Sequence, residues 1–200
     1  MTAIPRKTDM YYRYGIPNLV TVQVDTREQY PILFPELIRV AHPELTRGSL
    51  LVAVKTERKK LDFGDYRLKK FPRHAVIERK ASQLELFKNT CDPDDMVRQA
   101  KSFRKLSTGC KYPYLLIEAS PGELFSTGGR VKHPDVVASR LAIAIAKYRL
   151  QLLFIPWRSR SAEVRKKMGA LMIHTMLGGV LAEAYDVPPM EIEENSQDCS

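Results

Sequence analysis

The sequence predicts an α/β domain with a central mixed β-sheet flanked by helices. Two observations carry this. Short β-branched runs recur along the chain, and stretches of helical spacing fall between them. That interleaving is what a sheet covered by helices requires.

Taken in order, residues 1–18 are mixed polar and aromatic, with Pro5, Gly15 and Pro17, and read as an N-terminal arm. Leu19–Asp25 (LVTVQVD) is a strand that runs into an acid. Ser49–Lys55 (SLLVAVK) is a second strand. Leu61–Leu68 (LDFGDYRL) holds a turn at Gly64 and then extended chain. Ala75–Lys80 (AVIERK) is a strand that ends in charges. Residues 82–90 and 94–107 have helical spacing, and Pro113–Glu118 (PYLLIE) is a buried type of strand. Pro134–Leu150 is a helix with proline in its first turn, followed by a short strand at Leu152–Ile155. Ala162–Tyr185 is a long helical stretch, weakened at Gly178-Gly179. Pro188-Pro189 stops it, because proline lacks the N–H and clashes inside a helix. The folded domain is therefore expected over 19–186, with an acidic, disordered tail over 187–200. A length of 200 residues suits one such domain with tails.

Charge gives the first indication of function. Lys and Arg number 32 against 23 acids, a net of +9. No Lys or Arg follows Lys167, whereas Glu183, Asp186, Glu191, Glu193, Glu194 and Asp198 do, so the first 167 residues carry +15. Such a surplus points to a polyanionic partner, since Lys and Arg contacts release counterions from phosphates. The bland alternative is a basic surface kept for solubility.

Three scattered cysteines, Cys91, Cys110 and Cys199, form no CxxC pair, which argues against structural zinc and for a reducing compartment. No charged-then-apolar leader opens the chain, and no apolar run approaches the ~20 residues that span a bilayer. An intracellular location is expected, in the cytoplasm of a prokaryotic or phage-infected cell, with the nucleus left open. No membrane and no nucleotide cofactor are expected.

The charged strand ends carry the chemistry. Asp65 follows Gly64, and Glu78-Arg79-Lys80 closes an apolar strand. Alternate side chains share a strand face, so Glu78 and Lys80 point one way and Arg79 the other. With Asp65 on a neighbouring strand, two carboxylates could hold Mg²⁺ or Mn²⁺, which favour hard oxygen ligands. Lys80 beside them could offset charge on a phosphate. This is an acid-acid-lysine arrangement for phosphodiester hydrolysis; its bland reading is a set of solvated strand ends. Asp25 and Glu28, at the end of another apolar strand, form a second acidic pair that could join the same cleft.

Val24-Asp25-Thr26-Arg27-Glu28, Gly64-Asp65-Tyr66 and Ile77-Glu78-Arg79-Lys80, in that order, resemble the nuclease domain of the XPF family of structure-specific endonucleases. Tyr114–Ala119 (YLLIEA) resembles the family's later core strand, and the resemblance covers about residues 19–180. It implies a restriction-endonuclease-like fold and a Mg²⁺- or Mn²⁺-dependent site. Asp25, Glu28, Asp65, Glu78, Arg79 and Lys80 would be catalytic, and Asp25, Asp65 and Glu78 would ligate the metal. The family pattern places an acid four residues after the signature lysine, where this chain has Leu84; Glu85 follows one position later. One step turns a helix by about 100°. The family's cellular members often carry a tandem helix–hairpin–helix domain after the nuclease, so this sequence resembles a stand-alone phage or microbial type.

Arg27, Arg58, Lys59, Lys60, Arg67, Lys69 and Lys70 are candidate DNA contacts around this site, and Arg27 could instead hold the carboxylates in place. Arg98, Lys101 and Lys105 recur at helical spacing and join them. Such contacts hold the phosphate backbone without reading sequence. Trp157 could stack on an unpaired base, although core packing is the commoner role for a tryptophan. The apolar helices at 134–150 and 162–185 suggest deep burial or a partner, and the resemblance implies a homodimer. The reading is a metal-dependent endonuclease for branched or partly single-stranded DNA in replication, recombination or repair. Its alternatives are an inactive DNA-binding partner subunit, a sequence-specific restriction-type enzyme, and a basic protein-binding module.

Overall fold

The computed structural model describes residues 16–41, 48–127, 131–155 and 161–184. Seven strands form one sheet: β1 (Leu19–Val24), β2 (Leu37–Ala41), β3 (Ser49–Arg58), β4 (Tyr66–Leu68), β5 (Ala75–Lys80), β6 (Tyr112–Ile117) and β7 (Gln151–Phe154). Their order is β2-β3-β1-β4-β5-β6-β7. The helices are α1 (Gln83–Cys91), α2 (Pro93–Gly109), α3 (Pro121–Leu124), α4 (Pro134–Tyr148) and α5 (Ala162–Ala184).

The mixed sheet has a specific layout. β1 pairs parallel with β3, and β5 pairs parallel with β6. Between β1 and β5 lies β4, antiparallel to both. The carboxyl ends of β1, β5 and β6 and the amino end of β4 therefore meet at one edge of the sheet.

Alternation along the strands divides the core in two. Ala75 and Ile77 of β5 join Val22, Tyr66 and Leu116 in a cluster covered by Met168, Met172, Met176 and Leu177 of α5. Val76 points the other way and joins Leu115 and Ile117 under Leu86 of α1, Phe103 and Leu106 of α2, and Leu141 of α4. At the N-terminal boundary, Ile16 is already buried in the core, ahead of Leu19.

Four elements differ from the sequence reading. β2 was not expected; it is a short edge strand with Ile38 and Val40 buried and Leu37, Arg39 and Ala41 exposed. β3 continues three residues beyond Lys55, to Arg58, because parallel pairing with β1 runs on to Val24. The one-turn α3 was also unforeseen, although Ser120, Pro121 and Glu123 build a complete capping box. Finally, α5 runs unbroken through Gly178-Gly179. The apolar character of α5 is largely absorbed by the sheet, while Val136 and Ile143 of α4 and Leu171 of α5 remain exposed. Among the described residues, no helix is long and apolar enough to cross a membrane.

Candidate active site

The sheet edge where β1, β4 and β5 meet carries a cleft of about 200 Å³. It is lined by Arg27, Glu28, Asp65, Glu78, Arg79, Lys80, Ala81 and Glu85. Asp65 is held there by Gly64, whose φ of +66° lies in the left-handed region. A Cβ at Gly64 would also run into Val76 Cγ1. The turn lets Asp65 bridge two strands: its N–H donates to Ile77 O (2.8 Å) and its carbonyl accepts from Asp25 N–H (2.8 Å). Its Oδ2 accepts from the Arg79 N–H at 2.8 Å.

The expected strand alternation is realised. Glu78 and Lys80 fall on the α2 side of the sheet, and Lys80 Nζ donates to Glu78 Oε1 at 2.8 Å. Both side chains are buried. Gln99 of α2 completes the group, accepting from Lys80 Nζ through Oε1 at 3.0 Å and donating from Nε2 to Glu78 Oε1 at 3.4 Å. Arg79 projects to the opposite face. It forms a two-pronged pair with Glu118 (2.6 and 3.0 Å) and reaches Glu28 Oε1 at 2.9 Å and Tyr30 O at 3.2 Å. The signature arginine thus ties β5 to the end of β6 and to the loop after β1.

Asp25 is wholly buried, and both of its carboxylate oxygens are engaged. Oδ1 accepts from Arg27 N (2.7 Å) and Nε (2.8 Å). Oδ2 accepts from Arg27 Nη2 (3.0 Å) and Leu61 N (2.7 Å). Asp25 supports the cleft from behind, and it is Arg27 that faces the opening, with its side chain 64% exposed. Glu85, one residue past the family position, does reach the site. Its Oε1 lies 3.6 Å from Lys80 Nζ, and its Oε2 accepts from Ala81 N at 2.8 Å. Leu84 is exposed.

The electrostatics follow from burial and crowding of like charges. Burial, then the neighbouring Glu78, pushes the Asp65 carboxyl up to about 8. Burial alone would also raise Asp25, but hydrogen bonds from Arg27 and Leu61 outweigh it and hold the carboxyl below the usual range. Burial would lower Lys80; Glu78 and Glu85 overcome this and raise it, so the ammonium keeps its proton. Among the described residues, no three acidic, histidine or cysteine side chains converge as a preassembled metal cage.

The basic residues separate by position. Arg58 Nη2 bonds Thr26 O (3.0 Å) and Glu28 O (2.8 Å), and Lys59 N bonds Val24 O (2.9 Å), so Arg58, Lys59 and Lys60 stand at the cleft end of the sheet. Lys69 and Lys70 do not: they lie in the β4–β5 turn, at the opposite end of that hairpin from Asp65 and Glu78. The sequence expectation that they surround the site is corrected by this antiparallel pairing. Lys69 there pairs with Glu57 at 2.7 Å, and Arg67 bonds Gln23 at 2.9 Å. Arg98, Lys101 and Lys105 are exposed on α2, Arg98 pairing with Asp95 at 2.6 Å. Trp157 lies outside the described residues, as do the arm before Ile16 and the tail from 187 onward.

Two site residues escaped sequence reasoning. Glu118 follows an apolar strand, the same signal that marked Asp25 and Glu78. Gln99 is a polar residue on the buried stripe of α2, in line with Phe103 and Leu106.

The ERCC4 domain model matches residues 24–168. No curated protein matches the chain. Among solved structures, XPF from Aeropyrum pernix is similar at 18% identity and a TM-score of 0.48, over 76% of this chain and 61% of that one. A structure of XPF from Aeropyrum pernix in complex with DNA is similar at 19% identity and a TM-score of 0.48, over 78% of this chain and 66% of that one. The chain spans less than two thirds of the length of either. The family match and the mixed sheet with its flanking helices identify a restriction-endonuclease-like fold. Because the match begins one residue before Asp25, ends inside α5 and takes in every carboxylate around the cleft, the chain belongs to the ERCC4-domain family, the XPF-type nuclease family that its three motifs resemble.

Proposed function

We propose that the chain is a divalent-metal-dependent endonuclease that hydrolyses phosphodiester bonds in branched or partly single-stranded DNA. The observation that carries this reading is the convergence of Asp65, Glu78 and Lys80 in one cleft. Mg²⁺ and Mn²⁺ fit the residues present. Asp65, buried and next to Glu78, keeps its proton, which marks a hard-oxygen site short of positive charge. Mg²⁺ asks for only one or two carboxylates, the rest being waters and phosphate oxygens. Asp65 and Glu78 would hold it, and when bound it supplies Lewis-acid charge that offsets the negative charge developing on the phosphate.

The chain's own residues do the rest. Lys80, kept protonated by its acidic neighbours, is aimed to stabilise the same developing charge. Arg27 is exposed at the cleft mouth, and a swing of its guanidinium from Asp25 and the Leu61 carbonyl to a DNA phosphate would open Asp25 towards the metal. Glu28 and Arg79 hold the wall of the cleft. Arg58, Lys59 and Lys60 would grip the backbone beside it. A homodimer, with roles in replication, recombination or repair, belongs to the same proposal; exposed Val136 and Ile143 on α4 support a pairing surface.

The test is a cleavage panel with Mg²⁺ or Mn²⁺ on duplex, single strand, flaps, splayed arms and a four-way junction. Asp65→Ala and Glu78→Ala are expected to abolish cleavage and to spare DNA binding. Full activity in either variant would overturn the site. Failure to cut any substrate would favour the inactive-partner reading.

A further inference from the structure

We infer that Gln99 is the positioning residue for Lys80, holding the ammonium in the cleft while Glu78 turns to a metal ion; this rests on the function proposed above. Gln99 is one of the few buried polar side chains among the described residues, and both ends of its amide are spent on the site. The chemistry fixes its orientation. An ammonium only donates and an ionised carboxylate only accepts. The carbonyl of Gln99 must therefore face Lys80, and its NH₂ must face Glu78. Glutamate here would repel Glu78, and lysine would repel Lys80. A neutral amide satisfies both neighbours.

The need for such a residue follows from the partners of Lys80. They are Glu78 at 2.8 Å, Gln99 at 3.0 Å and, further off, Glu85 at 3.6 Å. A cation held by Glu78 would draw that carboxylate's charge away from Lys80. The Gln99 carbonyl remains. It keeps the ammonium in place without cancelling its charge and without competing for the cation. Helix α2 makes the anchor rigid, because Phe103 and Leu106 on the same stripe are buried in the core.

The experiment uses the full chain and two variants. Gln99→Met keeps the shape and removes both hydrogen bonds. Its kcat with Mg²⁺ is expected to fall about 10- to 100-fold, the usual scale for residues that orient a metal site. KM for DNA should stay at the wild-type value, and the thermal midpoint should fall only by the small amount that two lost hydrogen bonds cost, with the chain still folded at the assay temperature. Gln99→Glu adds a further carboxylate beside Glu78. It should bind Mn²⁺ more tightly than wild type, measured by electron paramagnetic resonance without DNA, while kcat still falls. Wild-type kcat in Gln99→Met would overturn the inference, and so would a loss of activity that vanishes once the variant is assayed well below its melting temperature. Should Gln99→Met not fold, Gln99→Glu decides: unchanged Mn²⁺ affinity with unchanged kcat overturns it. Full activity of Asp65→Ala or Glu78→Ala would sink the proposed function itself, a result distinct from any of these.

Discussion

On the proposed function, Asp65 is a position where a proton and a divalent cation would compete for the same oxygens. Burial and Glu78 keep its proton on up to about pH 8, whereas an unfolded aspartate releases it near 3.8. Between those values the folded chain binds one more proton than the unfolded chain, so stability falls as pH rises through that window. Without divalent cations, the melting midpoint of the wild type should drop from about pH 5 to pH 8 more steeply than that of Asp65→Asn. Equal slopes would remove Asp65 as the cause. Added Mg²⁺ should flatten the wild-type slope, because a ligating carboxylate must give up its proton. At this scale much of the site was legible in the sequence. Strand alternation alone placed Glu78 and Lys80 together and turned Arg79 away. What stayed hidden were the contacts made by chain returning from elsewhere: the hold of Leu61 on Asp25, and the reach of Gln99 from α2.

Among the elements, α5 separates two adjacent glycines that look alike in the sequence. A Cβ on Gly178 would meet nothing within 4 Å, while one on Gly179 would lie 2.9 Å from the Tyr112 ring and 3.5 Å from Ala75 Cβ. Gly178→Ala should raise stability by about 1 kcal/mol, the ordinary helix preference. Gly179→Ala should lower it by about 1–3 kcal/mol through overpacking against β5 and β6. Urea unfolding of both variants checks the pair, and equal effects would contradict the packing. Propensity alone predicted a weak point here; tertiary packing overrides it. The strands were legible because their interiors are continuous apolar runs. β2 was passed over because it is a short edge strand with one wet face, although its alternation was present. Glu85 reaches Lys80 because it caps the first turn of α1 together with Ser82, so its displacement by one position is absorbed by the helix start.

Across the whole molecule, a net charge of +9 surrounds a cleft of opposite character. Arg27, Arg79 and Lys80 stand there among Asp25, Glu28, Asp65, Glu78, Glu85 and Glu118. The composition revealed the basic surplus. It did not reveal its distribution, which depends on strand pairing and sends Lys69 and Lys70 to the far end of the β4–β5 hairpin. Replacing Lys59 and Lys60 with alanine should weaken binding to all DNA structures alike. It should also lower the log–log salt slope by about 1 for each phosphate that is no longer neutralised. An unchanged slope would remove them from the interface. An acidic hollow in a basic surface also bears on how the two proposed ligands meet. Alone, DNA is drawn to the rim and its phosphate is pushed from the centre; alone, a cation finds carboxylates but no phosphate oxygen to complete its shell. Each ligand supplies what the other lacks, so their binding is positively linked. Thermodynamic reciprocity then fixes the rest: the factor by which the cation tightens DNA is the factor by which DNA tightens the cation.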